Sequence, residues 1–314
     1  MKNLNDPEIS VVIPAYRCEK FVDELYSRLI ITFEKLKVSF EIIFVNDSSP
    51  ENDWEAIKAL AEKDGRVKGL NFSRNFGQHC AITAGLEASK GNWTVIMDCD
   101  LQDRPEEIEK LYAKTQEGYD IVYARRAVRK DSFLKRMSSK YFYKVLSYLT
   151  EIEQDETVGN FGIYSRKSID AVISLRENLR YFPVKIRWVG FRSATVSVEH
   201  SANRERKSSY NFRRLFGLAF DVMLATSNKP LKLVVKLGML ISALAFVFAV
   251  YLFVRALSGD YLIAGWPSLI VSIWFLSGII ILTLGIIGLY LGKVFDEVKN
   301  KPLYIIKERT DDND

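Results

Sequence analysis

The stretch GNWTVIMDCDLQDRPEEI, Gly91–Ile108, decides the fold. Gly91 closes a helical pattern, Trp93 to Met97 is a short apolar run, and the run stops at Asp98-Cys99-Asp100-Leu101-Gln102-Asp103, just before a proline that opens a new helical pattern. Strand, polar turn and proline at a helix start make a β-to-α connection. Two carboxylates spaced i and i+2 where a chain leaves a sheet can both turn toward one hard cation. A divalent ion such as Mg²⁺ accepts carboxylate oxygens and is commonly completed by substrate phosphates and water. Held that way it neutralises a diphosphate leaving group. Asp103 also suits the cap of the helix that begins at Pro105.

The same alternation extends to either side. Ile9 to Ala15, Phe40 to Val45, Val67 to Phe72, Trp93 to Met97 and Asp120 to Ala124 read as strands. Glu19 to Lys37, Asp53 to Lys63, Gln78 to Ser89 and Pro105 to Glu117 read as the helices between them. Strand and helix in turn at this spacing predict an α/β fold with a mainly parallel sheet covered on both faces. Ligands of such sheets lie at the carboxyl ends of the strands, which directs attention to the polar residues there.

Composition adds a second feature. The chain has 314 residues, 48% hydrophobic and 26% charged, which as an average describes an ordinary globular protein. The average conceals a segregation: Leu237 to Val254 is a run of 18 uncharged residues and Tyr261 to Gly292 a run of 32. A helix needs about 20 apolar residues to cross the hydrocarbon core, so a wholly soluble protein is excluded. The runs predict a hairpin of two transmembrane helices within residues 231–292, at about 233–254 and 268–291. Lys229, Lys232 and Lys236 precede it and Lys293, Lys299 and Lys301 follow it, against Arg255 alone in the link. The positive-inside rule then puts residues 1–230 and the tail 293–314 on the cytoplasmic side of an inner membrane. The polar start MKNLNDPEIS carries no signal-peptide pattern.

Net charge is +5, too mild to argue for nucleic acid as a partner. Basic residues cluster at 125–136 and 204–214, next to amphipathic patterns at about 131–149 and 210–226 rich in Tyr, Phe, Lys and Arg. These read as helices lying on a bilayer surface, with an ordinary surface helix as the alternative. Three cysteines, Cys18, Cys80 and Cys99, form no CxxC pair and indicate neither a disulfide framework nor a zinc site. His79 and His200 read as structural.

Four motifs occur in order: VVIPAYRCEK (Val11–Lys20), FVNDSSPEN (Phe44–Asn52), SRNFGQHCAITAGLEASKG (Ser73–Gly91) and MDCDLQDRPEEI (Met97–Ile108). With them the sequence resembles the family 2 glycosyltransferases, whose nucleotide-sugar domain has the GT-A fold. RKSSYNFRRL (Arg206–Leu215), the tandem spans and YLGKVFDEVKNKPLYIIKE (Tyr290–Glu308) are similar to the polyprenyl-phosphate branch, which includes dolichyl-phosphate mannose synthases and bacterial undecaprenyl-phosphate sugar transferases. The resemblance covers nearly the whole chain.

It implies an inverting, metal-dependent enzyme that moves a sugar from a UDP- or GDP-linked donor to a polyprenyl phosphate. Pro14, Ala15, Tyr16, Glu19, Asp47, Asn75, Gln78 and Cys99 would line the nucleotide-sugar site. Asp98, Asp100 and Gln102 would hold the metal, Mg²⁺ or Mn²⁺, and Asp103 would complete the catalytic segment. Arg125 or Arg126, with Arg204, Lys207 and Ser208, would contact the diphosphate or the acceptor phosphate. Relatives with paired spans further imply a homo-oligomer such as a tetramer.

Two departures stand out. Where the branch often has Gly-Asp-Phe, this chain has Gly159-Asn160-Phe161, with Asp155 and Glu156 nearby. The Gln-x-x-Arg-Trp motif of processive synthases reads Val184-Lys185-Ile186-Arg187-Trp188, without the glutamine. Other readings are a transferase extending a lipid-linked oligosaccharide or lipid A, and an inactive membrane-tethered nucleotide-binding scaffold. Both metal-type carboxylates and Gln102 speak against the scaffold.

Overall fold

The first strand, β1 (Ile9–Ala15), is buried along its whole length, as is its neighbour β2 (Phe40–Asn46). Both are mainly apolar, as expected in a sheet covered on both faces, and the buried Ser10 hydroxyl donates to the Glu41 carboxylate at 2.6 Å. This computed structural model describes residues 7–126, 158–175, 181–199, 227, 229–257 and 265–312. The interfacial helices expected at 131–149 and 210–226 lie outside those residues.

Helix α1 (Glu19–Leu36) follows β1 and α2 (Asp53–Lys63) follows β2. Strand β3 (Val67–Phe72), helix α3 (Gln78–Ala88), β4 (Trp93–Ile96), a 3₁₀ turn at Pro105–Glu107, α4 (Ile108–Thr115) and β5 (Ile121–Arg126) complete the alternation. All five expected strands and four expected helices are present, with boundaries shifted by a few residues. The turn at Pro105 has Arg104 as its N-cap residue and no side-chain cap. The cap expected of Asp103 is therefore not made there.

Residues beyond the alternation add β6 (Val158–Ser165), α5 (Arg166–Ser174), α6 (Phe182–Trp188), β7 (Ser193–Val198) and β8 (Ile306–Arg309). The sheet has eight strands in the order β7-β5-β6-β4-β1-β2-β3-β8. β1, β2, β3 and β4 pair in parallel, β5 pairs in parallel with β7, and β6 runs antiparallel between β4 and β5. β8 comes from the segment read in sequence as a tail, and pairs antiparallel with β3. The sheet is thus mainly parallel, with two reversed strands.

Alternation along the strands divides the core. Ile9, Val11, Ile13, Ile42 and Phe44 pack with Leu25, Leu29 and Phe33 of α1, Ile57 of α2 and Leu111 of α4. On the opposite face Val12, Ile43 and Val45 pack with Ile82 and Leu86 of α3, Ile169 of α5 and Ile186 of α6. Gly85 lets α3 approach β1 closely, since a Cβ there would lie 2.3 Å from Val12 Cγ1.

The described residues form two compact units, one holding the sheet and its helices together with residues 302–312. The other contains α7 (Lys229–Leu257) and α8 (Trp266–Val298). Both are long and apolar enough to cross a membrane, over Leu231–Phe248 and Ser272–Val298, and their apolar side chains, such as Phe246 and Ile281, stand exposed. At about 1.5 Å per residue each helix exceeds the ~30 Å of a hydrocarbon core.

Candidate active site

Three neighbouring strands leave the sheet at the same edge, and each exit contains a non-glycine residue in the left-handed region: Arg17 after β1 (φ 56), Ser48 after β2 (φ 51) and Leu101 after β4 (φ 60). Such residues cost free energy and persist where the surroundings over-determine them, commonly at functional sites. Here each turns the chain sharply at the carboxyl edge of the sheet.

The turn after β4 is tied by its own acids. Asp103, buried, accepts a hydrogen bond from the Asp98 backbone N–H at 3.3 Å. Asp100, also buried, accepts one from the Gln102 backbone N–H at 3.2 Å and a second from the Gln102 side-chain amide at 2.9 Å. Cys99 points the other way, into the core beneath β1. A hydrogen bond with the Cys18 thiol, together with burial, pushes the Cys99 thiol well above its ordinary range. Cys99 is therefore a packing residue between two acids, and all three cysteines are buried free thiols.

Asp98 is half-buried and accepts a 2.6 Å hydrogen bond from the side-chain amide of Gln78, the first residue of α3. Asp47 organises the approach to that helix. It is buried, and its carboxylate accepts the backbone N–H groups of Phe76 at 2.7 Å and Gly77 at 2.9 Å. Asn75 donates to the Asp47 carbonyl at 3.2 Å. Burial pushes the Asp47 carboxyl above its usual range, and the two amides oppose that shift. Both its oxygens thereby hold the loop that presents Gln78.

The other expected donor-site residues fall as follows. Pro14 and Ala15 are buried as the last residues of β1, and the Ala15 carbonyl accepts the Asp47 backbone N–H at 3.0 Å. Tyr16 is exposed, with the Arg17 guanidinium 5.6 Å from its ring centroid. Glu19 accepts the Asn52 backbone N–H at 3.2 Å and so fastens the loop after β2. Asp53, which sequence reasoning took only as a helix start, is fully buried and accepts the Cys18 backbone N–H at 3.1 Å and 3.3 Å. The position of Asp53 at a helix start carries no signal of that second use.

β6 brings in the next candidate. Its register sets Gly162 opposite Ile96, the last residue of β4, and Asn160 lies two residues before Gly162 on the same strand. On its other side β6 pairs with β5, which ends in exposed Arg125 and in Arg126. Asn160 thus lies on the strand between β4, which leads into the carboxylate turn, and β5, which ends in the two arginines. Arg204, Lys207 and Ser208 lie outside the described residues.

His79, beside Gln78, packs edge-on against Tyr181 at 4.7 Å, and its Nδ1 is buried without a hydrogen-bond partner. Burial pulls its pKa down to about 4, so the ring is neutral at physiological pH. A neutral, desolvated imidazole of this kind serves packing, as the sequence reading expected.

The donor set suits a hard divalent cation in part. Asp98 and Asp100, with the Gln102 carbonyl, offer oxygen ligands, and among the described residues no group of three His, Cys, Asp or Glu side chains gathers into a self-sufficient metal cage. A site of one or two carboxylates completed by phosphate oxygens and water is the ordinary arrangement for Mg²⁺.

The sheet, its reversed β6 and the carboxylate turn define a GT-A type domain, the class that handles activated sugars. The model of glycosyl transferase family 2 matches residues 10–173, and the chain belongs to that family. It is 36% identical over 302 residues to an uncharacterized glycosyltransferase of Synechocystis, covering 96% of this chain and 95% of that one. To an uncharacterized glycosyltransferase of Bacillus subtilis it is 37% identical, over 96% and 94% of the two chains. To the prophage-derived bactoprenol glucosyl transferase of Shigella flexneri it is 33% identical, over 96% and 98%.

Proposed function

We propose that this protein transfers a sugar from a nucleoside diphosphate to the phosphate of a membrane polyprenol. One observation carries the reading: a single chain joins the Gln78–Asp98–Asp100 constellation at the carboxyl edge of a sheet to two helices long and apolar enough to cross a bilayer. The full-length similarity to bactoprenol glucosyl transferases, spans included, supports this acceptor.

On this reading the nucleotide lies across the ends of β1 and β2, against Tyr16 and the loop fastened by Glu19. Asp98, Asp100 and Gln102 would hold a divalent ion, Mg²⁺ or Mn²⁺, which when bound offsets charge on the diphosphate. Gln78 fixes the orientation of Asp98, and Asp103 fixes the turn that carries both acids. Arg125 supplies positive charge beside Asn160, where the anionic acceptor enters. A phosphate monoester is already largely ionised at neutral pH, its second pKa being about 6. Its oxygen attacks the anomeric carbon as the bond to the diphosphate breaks, with inversion, and no proton has to be removed. An amide at Asn160 is compatible with that chemistry because no general base is required there. Rate enhancement then rests on alignment and on charge placed where the leaving group develops.

Chain topology supports the membrane arrangement. The sheet includes β7 before the two long helices and β8 after them, so an even number of crossings is required. Two spans, with the sheet unit and tail on the cytoplasmic face, satisfy this and the lysine distribution. The test is Asp100→Ala in the full-length protein. It should abolish sugar transfer while the protein still inserts in membranes and unfolds cooperatively; undiminished transfer would remove the carboxylate turn from the mechanism.

A further inference from the structure

β8 does more than cover a sheet edge. The segment that carries it follows α8 directly, and its ring and backbone hold Phe72 and Ser73, where the loop 73–77 that presents Gln78 begins. Before the loop, Tyr304 stacks on Phe72, the last residue of β3, with ring centroids 5.1 Å apart at 17°. Phe72 in turn meets Phe76, within the loop, edge-on at 5.6 Å. The Ser73 backbone N–H donates to the Ile305 carbonyl at 3.0 Å. Away from the loop, at the far end of α3, the Tyr304 hydroxyl donates to the Glu87 carboxylate.

The segment is itself anchored over its length. Glu308 accepts the Trp54 indole N–H at 2.9 Å and lies 3.5 Å from Lys58 Nζ. Gly69 and Thr310 exchange two hydrogen bonds, at 2.8 Å and 3.1 Å. Asp47 holds the loop from the opposite side through Phe76 and Gly77. The loop is therefore held by the Asp47 carboxylate at Phe76 and Gly77 and departs from Phe72, on which Tyr304 stacks, and the helix it opens delivers Gln78 to Asp98.

We infer that residues 302–310 are a positioning element for the donor site, with Tyr304 acting through Phe72 and Phe76 on the Gln78–Asp98 contact. This rests on the donor reading above. Tyr304 touches no reacting atom. Its ring, rather than its hydroxyl, sets the loop, because the ring meets the residue from which the loop departs.

The experiment measures donor affinity by calorimetric titration of the full-length protein in detergent. UDP-linked and GDP-linked hexoses are each titrated with Mn²⁺. Tyr304→Ala should weaken binding of the donor that wild type accepts by roughly three- to tenfold, the scale of one lost aromatic pair. Tyr304→Phe should bind as wild type does, and the KM for undecaprenyl phosphate should not move in either variant. A merely structural tyrosine would lower the melting temperature of Tyr304→Ala and leave the donor Kd of the folded protein unchanged, which would overturn the inference. If Tyr304→Ala does not accumulate, Phe76→Leu reads the same stack from its other end, and an unchanged Kd there overturns it equally. Wild type that binds no nucleotide sugar would instead remove the donor reading, and this inference with it.

Discussion

Gln78 donates its side-chain amide to Asp98 across 2.6 Å, joining the start of α3 to the turn after β4. A hydrogen bond to a charged acceptor contributes about 1.5–3 kcal/mol, so Gln78→Ala should reduce kcat/KM for the donor by roughly ten- to a hundredfold. Because Gln78 is exposed, the melting temperature should hardly change. Steady-state kinetics beside a thermal melt checks both.

Asp47 predicts the reverse balance. Its carboxylate holds two backbone amides, so Asp47→Ala should destabilise the folded protein by on the order of 2–3 kcal/mol. Asp47→Asn keeps one acceptor oxygen and should recover part of the loss. Were Asp47 chiefly a ribose ligand, both variants would lose donor affinity at unchanged melting temperature.

His79 gives a pH dependence with a defined sign. Its pKa falls from 6.5 to about 4 on folding, so the folded state binds fewer protons than the unfolded one over that interval. The stability it contributes is full above pH 6.5 and is lost as pH falls toward 4. Melting temperatures of wild type and His79→Leu, compared from pH 7 to pH 4, should show wild type losing ground as pH falls.

Gly85 tests the packing beneath the site. A methyl group at that position meets Val12, fully buried in the central strand, so Gly85→Ala should cost about 1–3 kcal/mol by overpacking. Gly65 has open space around its Cβ position, and Gly65→Ala should be close to neutral in the same melt.

Much of this was legible in the sequence because the decisive elements are buried runs. Ile9–Ala15 and Phe40–Asn46 are rich in β-branched and aromatic residues, interrupted only by Ser10, Glu41 and the terminal Asn46, and a strand covered on both faces shows itself that way. β8 did not show itself: Ile306-Lys307-Glu308-Arg309 is a short edge strand with one aliphatic residue, and its partner β3 lies far away in sequence. The reversal of β6 was equally hidden, since direction depends on the connection and not on the strand's own residues. At the site, Asp98, Asp100 and Gln78 were each readable as polar residues at strand and helix ends. That Asp47 spends its oxygens on backbone amides was not, because a carboxylate's residue type does not reveal its donors.

The central claim is the reaction itself, and the most direct measurement is product formation by the purified full-length protein. It is incubated with undecaprenyl phosphate, a divalent cation and each labelled nucleotide sugar in turn, beginning with UDP-glucose. The account predicts that one donor yields an organic-extractable, mild-acid-labile lipid carrying the label, and that Asp100→Ala yields none. Absence of such a lipid across the donors, with label passing instead to a preformed lipid-linked oligosaccharide, would contradict it.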